Sequence, residues 1–114
     1  MVTIYHNPRC SKSRETLALL KARGVAPRVV EYLRTPPSRE ELAAIVAKLG
    51  IRPRDLLRSK EAVYAELGLD DPKWTDEEIL GFLAAHPILI ERPIVITERG
   101  ARIGRPPERV LEIL

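Results

Sequence analysis

Cys10 is the only cysteine among 114 residues, and the side chains around it are the ones best suited to chemistry. It lies in the stretch Tyr5-His6-Asn7-Pro8-Arg9-Cys10-Ser11-Lys12-Ser13-Arg14. A short β-like run precedes this stretch and a helical pattern begins near Ser11. A thiol at the start of a helix meets unpaired backbone N–H groups and the positive end of the helix dipole, and both favour thiolate over thiol. His6 could serve as an imidazolium partner or as a hydrogen-bond donor, and Ser13 could donate a hydrogen bond to the sulfur. The alternative, a cysteine buried as a small hydrophobe, fits poorly among neighbours that are polar and cationic.

A reactive thiolate also needs a place for its substrate's charge. The loop Asn7-Pro8-Arg9-Cys10-Ser11-Lys12-Ser13 could present backbone N–H groups as an anion nest. It has no glycine, so it is not a nucleotide-binding P-loop. Arg92 stands before Pro93 at the mouth of an apolar run, and Arg105 stands before a final amphipathic segment. Both fall at the ends of core elements, where α/β sheets tend to bind ligands. Position 13 holds serine where a Cys-x-x-Cys motif would hold its second cysteine. Any disulfide made by Cys10 must therefore be a mixed one, with a small thiol or a partner protein. One cysteine and two histidines, without ligand spacing, argue against a metal. There is no Ser-His-Asp arrangement and no dinucleotide glycine fingerprint.

The elements that must position these residues follow from periodicity. Residues 2–5 read as a strand, 12–23 as a helix ended by Gly24 with Leu17 and Leu20 on its apolar face, and 28–33 as a second strand. This is a βαβ unit. Ser38 and Glu41 form a capping box before a helix with Leu42, Ile45, Val46 and Leu49 on one face; Gly50 stops it. Residues 53–58 and 60–67 read as short helical pieces. Thr75 and Glu78 form a second capping box, before a helix carrying Ile79, Phe82 and Leu83 and ended by His86-Pro87. Ile94 to Thr97 is a buried strand, Arg99-Gly100 a turn, and Ala101 to Ile103 its antiparallel partner. A last helix after Pro106-Pro107 is expected to turn Val110, Leu111 and Leu114 inward. The order is βαβ, a helical insertion over about 38–86, then ββα. The chain thus reads as one α/β domain, 1–114, with a mixed sheet.

Composition narrows the class. The length suits one modest core, and 45% hydrophobic residues exclude disorder. No apolar run is long enough to span a membrane, and no secretory signal is visible. A net charge of +3 is too small to argue for nucleic acid. A single cysteine excludes an intrachain disulfide, and a reducing cytoplasm is the expected location. Lysine occurs only at 12, 21, 48, 60 and 73 among nineteen basic residues, and arginine is the better residue for planar recognition of oxyanions.

The chain resembles the glutaredoxin-coupled arsenate reductase family, nearer its short branch. The resemblance runs through Tyr5–Arg14, Tyr32-Leu33-Arg34-Thr35-Pro36-Pro37, Asp55-Leu56-Leu57-Arg58, His86–Val95 and Gly104-Arg105-Pro106-Pro107. It implies a thioredoxin-like four-stranded mixed sheet with a helical insertion and a cis peptide before Pro93. It also implies Cys10 as the catalytic cysteine, His6 as the histidine that lowers the thiol pKa and Ser13 as the serine that assists the thiolate. Arg58, Arg92 and Arg105 become the oxyanion-binding arginines; Arg58 is singled out by the resemblance alone. The implied reaction reduces arsenate or a similar oxyanion with glutathione as co-substrate and glutaredoxin as partner, with no bound cofactor. Two other classes compete. A glutathione-dependent reductase of thiols or mixed disulfides would use the same cysteine without needing an arginine set. An Spx-type regulator would bind RNA polymerase, but its redox switch uses Cys-x-x-Cys.

Overall fold

The computed structural model describes all residues, 1–114, and divides them into two compact units: Met1–Thr35 with Arg92–Leu114, and Pro36–Glu91. The first carries a four-stranded sheet. β1 (Thr3–Tyr5) runs into helix α1 (Ser11–Ala22), which returns the chain to β2 (Arg28–Val30). β1 and β2 are parallel, so a crossover such as α1 is obligatory. β3 (Ile94–Thr97) lies antiparallel to β1 on its other side, and β4 (Gly100–Ile103) pairs antiparallel with β3. The sheet order is β2-β1-β3-β4, the mixed βαβ–ββα arrangement expected from the sequence. Ile4, Leu20, Val95, Val110 and Ile113 form the core of this unit.

α1 ends as predicted, at Gly24, whose φ of +75° suits glycine. The Gly24 N–H donates to Lys21 C=O and the Val25 N–H to Leu20 C=O, each at 3.0 Å, which is the Schellman pattern. The buried face of α1 differs from the expected one. Leu20 is buried, but Leu17 and Leu19 are only partly so, and the first turns bury Ser13 and Thr16 instead. At Thr16 there is little room for a larger side chain, because a Cβ built at Gly104 would already lie 2.6 Å from its Oγ1.

Two further expectations are corrected. The second strand stops at Val30 rather than Leu33. The Glu31 carbonyl accepts from the N–H groups of Arg34 (2.9 Å) and Thr35 (3.0 Å), so the chain turns. The C-terminal helix is a 3-10 segment, Pro107–Ile113, not an α-helix. Its three-residue period aligns Pro107, Val110 and Ile113 inward, leaving Leu111 and Leu114 half-buried.

The second unit is helical: α2 (Arg39–Leu49), a 3-10 turn at Pro53–Leu56, α3 (Ala62–Glu66), α4 (Asp76–Ala85) and a 3-10 turn at Pro87–Leu89. Leu42, Ile45 and Val46 of α2 and Ile79, Leu80 and Leu83 of α4 are buried. Phe82 is half-buried and meets Trp74 edge-on, ring centroids 5.0 Å apart. Both capping boxes close as read: Ser38 Oγ accepts from Glu41 N–H at 3.1 Å, and Thr75 Oγ1 from Glu78 N–H at 3.2 Å. No helix is long and apolar enough to cross a membrane. Ser38→Ala and Thr75→Ala are each expected to lower stability by about 1 kcal/mol, read as a lower urea midpoint at unchanged slope.

Candidate active site

The loop from β1 to α1 is held by its own polar atoms. The Asn7 carbonyl accepts from Cys10 N–H at 3.0 Å, Asn7 Oδ1 accepts from Arg9 N–H at 3.0 Å, and Ser13 Oγ accepts from Asn7 N–H at 3.0 Å. The Arg14 guanidinium donates to Pro8 C=O at 3.0 Å. These bonds consume the N–H groups of Asn7, Arg9 and Cys10. The first half of the loop is thereby fixed as a mount for Cys10, and the N–H groups of Ser11, Lys12 and Ser13 lie in the first turn of α1. Asn7, which anchors three of these bonds, had only its place before proline in a turn as a sequence signal.

Cys10 is the N-cap residue of α1, with extended backbone at φ −94° and ψ 122°. No side chain caps this helix with ordinary hydrogen-bond geometry. The Ser13 N–H is nevertheless directed at the sulfur and favours its anion. Arg105 Nη2 stands 3.5 Å from Cys10 Sγ, and Arg105 Nε donates to Arg92 C=O at 2.8 Å. Burial is the largest single influence on the thiol and opposes ionisation. The Ser13 N–H, a hydrogen bond from Arg92 and the charges of Arg92 and Arg105 together outweigh it, so the Cys10 pKa is lowered. The peptide bonds before Pro93 and Pro106 are both cis. The first was implied by the resemblance; the second was not foreseen.

His6 and Ser13 are placed differently from the simplest reading of the sequence. His6 Nδ1 lies 2.6 Å from Ser13 Oγ, and both residues are buried. Burial lowers the His6 pKa, assisted by the charges of Lys21 and Arg14 and opposed by Glu31. Burial thus works against the imidazolium form, and the hydrogen-bond partner of the ring is the Ser13 hydroxyl. The Ser13 hydroxyl is engaged with Asn7 and His6, so its main-chain N–H is what serves the sulfur.

Arg58 lies in the second unit. Its N–H donates to Leu89 C=O at 2.8 Å beside the Leu57–Ile90 bridge. Its guanidinium donates through Nη1 to Glu91 at 2.6 Å and through Nε to Glu61 at 3.2 Å. Burial alone would lower its pKa, but these two carboxylates raise it. The first unit brings together Cys10, His6, Ser13, Arg92 and Arg105; Arg58 belongs to the second unit. The clamp by Glu61 and Glu91 was not visible in the sequence, where neither glutamate stands out from the other acidic residues. No group of His, Cys, Asp and Glu has the makings of a metal site.

The fold and site together define a class: a thioredoxin-like protein whose single cysteine stands at a helix N-cap beside two guanidinium groups that lower its pKa. The chain belongs to the ArsC family, whose sequence profile matches residues 5–113. It is 53% identical over 113 residues to an arsenate reductase of Rhizobium meliloti, covering 99% of this chain and 81% of that protein. It is also 53% identical to the Escherichia coli protein YfgD, covering 99% of this chain and 96% of that one. Among solved structures, an arsenate reductase from Vibrio cholerae superposes with a TM-score of 0.97 at 55% identity, over 99% of this chain and 97% of that one.

Two measurements test the electrostatics. Arg105→Ala is expected to raise the pH at which Cys10 becomes reactive toward a thiol-alkylating reagent, since it removes a cation that stabilises the thiolate. For His6, the folded pKa lies below its unfolded value near 6.5. The unfolded chain then binds more protons on acidification, and stability falls as pH drops through and below that value. Urea midpoints compared between about pH 7.5 and about pH 5.5 should decline more in the wild type than in His6→Gln.

Proposed function

We propose that this protein reduces arsenate to arsenite, with Cys10 as nucleophile and glutathione as co-substrate, in a reducing cytoplasm. The observation that carries the reading is the convergence of Arg92 and Arg105 on the Cys10 sulfur, with Arg105 Nη2 at 3.5 Å. A disulfide substrate is neutral at its sulfurs and needs no pair of cations to bind it, whereas an oxyanion beside a thiolate requires cations to offset repulsion. The similarity to arsenate reductases supports the same substrate.

In the proposed sequence the Cys10 thiolate attacks arsenic(V), and one arsenate hydroxyl takes a proton from solvent and leaves as water, forming a sulfur–arsenic bond. Glutathione thiolate then attacks Cys10 Sγ. The sulfur–arsenic bond breaks with its electron pair passing to arsenic, which leaves as arsenite, while Cys10 and glutathione form a mixed disulfide. Two thiols lose two electrons and arsenic gains two. A glutaredoxin thiol then takes the glutathionyl group and frees Cys10. The single cysteine suits this route, because the second reducing equivalent has to come from outside the chain.

Arg92, Arg105 and Arg58 bind the oxyanion in this proposal, the last on the family resemblance. His6 acts through Ser13, holding the serine so that its N–H faces the sulfur. In this proposal residues 1–114 act as one functional domain.

The test is arsenate-dependent NADPH oxidation coupled through glutathione, glutaredoxin and glutathione reductase. Wild type should turn over and Cys10→Ser should not; Arg58→Ala should raise the arsenate KM about tenfold or more. Appreciable turnover by Cys10→Ser would reject the mechanism. A wild type inert toward arsenate but active on glutathionyl mixed disulfides would move the function to thiol reduction.

A further inference from the structure

Gly104 lies beside Thr16 of α1 and beside Pro93, between the two segments that carry Arg92 and Arg105. Its N–H donates to Pro93 C=O at 2.9 Å, which ties the exit of β4 to the segment beginning at Arg92. A methyl group placed on Gly104 would stand 2.6 Å from Thr16 Oγ1, 3.2 Å from Thr16 Cγ2 and 2.9 Å from Pro93 Cγ. Separations this short force a displacement. Gly104 is not among the glycines with positive φ, so space, not backbone conformation, demands glycine here. Thr16 is poorly placed to yield: it is fully buried, and its hydroxyl donates to Lys12 C=O at 2.8 Å.

The neighbours give this contact its consequence. α1 holds Cys10 at its N-cap, six residues before Thr16. Arg105 follows Gly104 directly and reaches both Cys10 Sγ and the Arg92 carbonyl. We infer that Gly104 is a positioning residue, and that its contact with Thr16 sets the separation between the Cys10-bearing helix and the Arg92–Arg105 pair. It touches neither the sulfur nor the substrate and acts through Arg105. The part of this inference that concerns substrate rests on the proposed role of Arg92 and Arg105 in oxyanion binding. The part that concerns the thiol does not.

Gly104→Ala, Thr16→Ala and the double variant, each in the full chain, test it. The readouts are the thiolate absorbance of Cys10 against pH and the separate kcat and KM for arsenate. In Gly104→Ala the thiol titration should move to higher pH, and kcat/KM should fall by about tenfold to a hundredfold, mostly through KM. Thr16→Ala alone should leave the thiol titration near the wild-type position. The double variant removes two of the three nearest atoms in conflict, and the third belongs to the Pro93 ring, whose pucker can shift; it should recover both properties in large part.

A folded Gly104→Ala with wild-type thiol titration and KM would overturn the inference, as would a defect that Thr16→Ala does not relieve. If Gly104→Ala does not fold, a double variant that folds with a recovered thiol titration supports the contact, and one that is equally unfolded overturns it. If arsenate is inert even with wild type, the proposed function fails while the thiol titration still decides this point.

Discussion

A buried cysteine ionises readily only where directed N–H groups and positive charge offset its lost hydration, and Cys10 is only 9% exposed. In Cys10 burial is the strongest influence and works against the thiolate; the Ser13 N–H, Arg92 and Arg105 overcome it together. Most of what is unusual in the first unit serves this balance. The β1–α1 loop spends its own N–H groups on Asn7 and Ser13, so that Cys10 is fixed and not solvated by a mobile chain. Arg105 is anchored by the Arg92 carbonyl, so two segments separated in sequence approach the sulfur as one assembly.

That approach constrains the core. A helix normally buries large apolar side chains on its inner face, yet the first two turns of α1 bury Ser13 and Thr16. Large residues there would hold the helix away from Gly104 and from the arginines beyond it. Leu20 restores ordinary apolar packing one turn later, with Ile4, Val95, Val110 and Ile113. The unit thus places tight, small-residue packing near the sulfur and apolar packing further along the helix.

The second unit shows the same concern with fixing a cation. Arg58 is held by Glu61 and Glu91, with side-chain exposures of 18%, 23% and 26%. Partial burial strengthens such pairs relative to surface ones and sets the orientation of the guanidinium. Helices α2 and α4 begin at capping boxes whose donors and acceptors lie three residues apart, so these boundaries depend on local sequence.

That locality marks what the sequence by itself determined. The capping boxes at Ser38 and Thr75, the glycine stops at Gly24 and Gly50, the buried strand Ile94–Thr97 and the helix-capping position of Cys10 all depend on residues within a few positions of one another, and all were legible. The tertiary structure decided the rest. Carbonyl partners at Glu31 ended β2 early, and the three-residue period of Pro107–Ile113 replaced an α-helix whose apolar spacing fitted either form. The Ser13 hydroxyl turned to His6 instead of the sulfur because both became buried together. Arg105 meets Cys10 across 95 residues of sequence, and Gly104 meets Thr16 across nearly as many. No periodicity encodes such distances; they exist only once the sheet order β2-β1-β3-β4 has brought the ends of α1, β3 and β4 to one place.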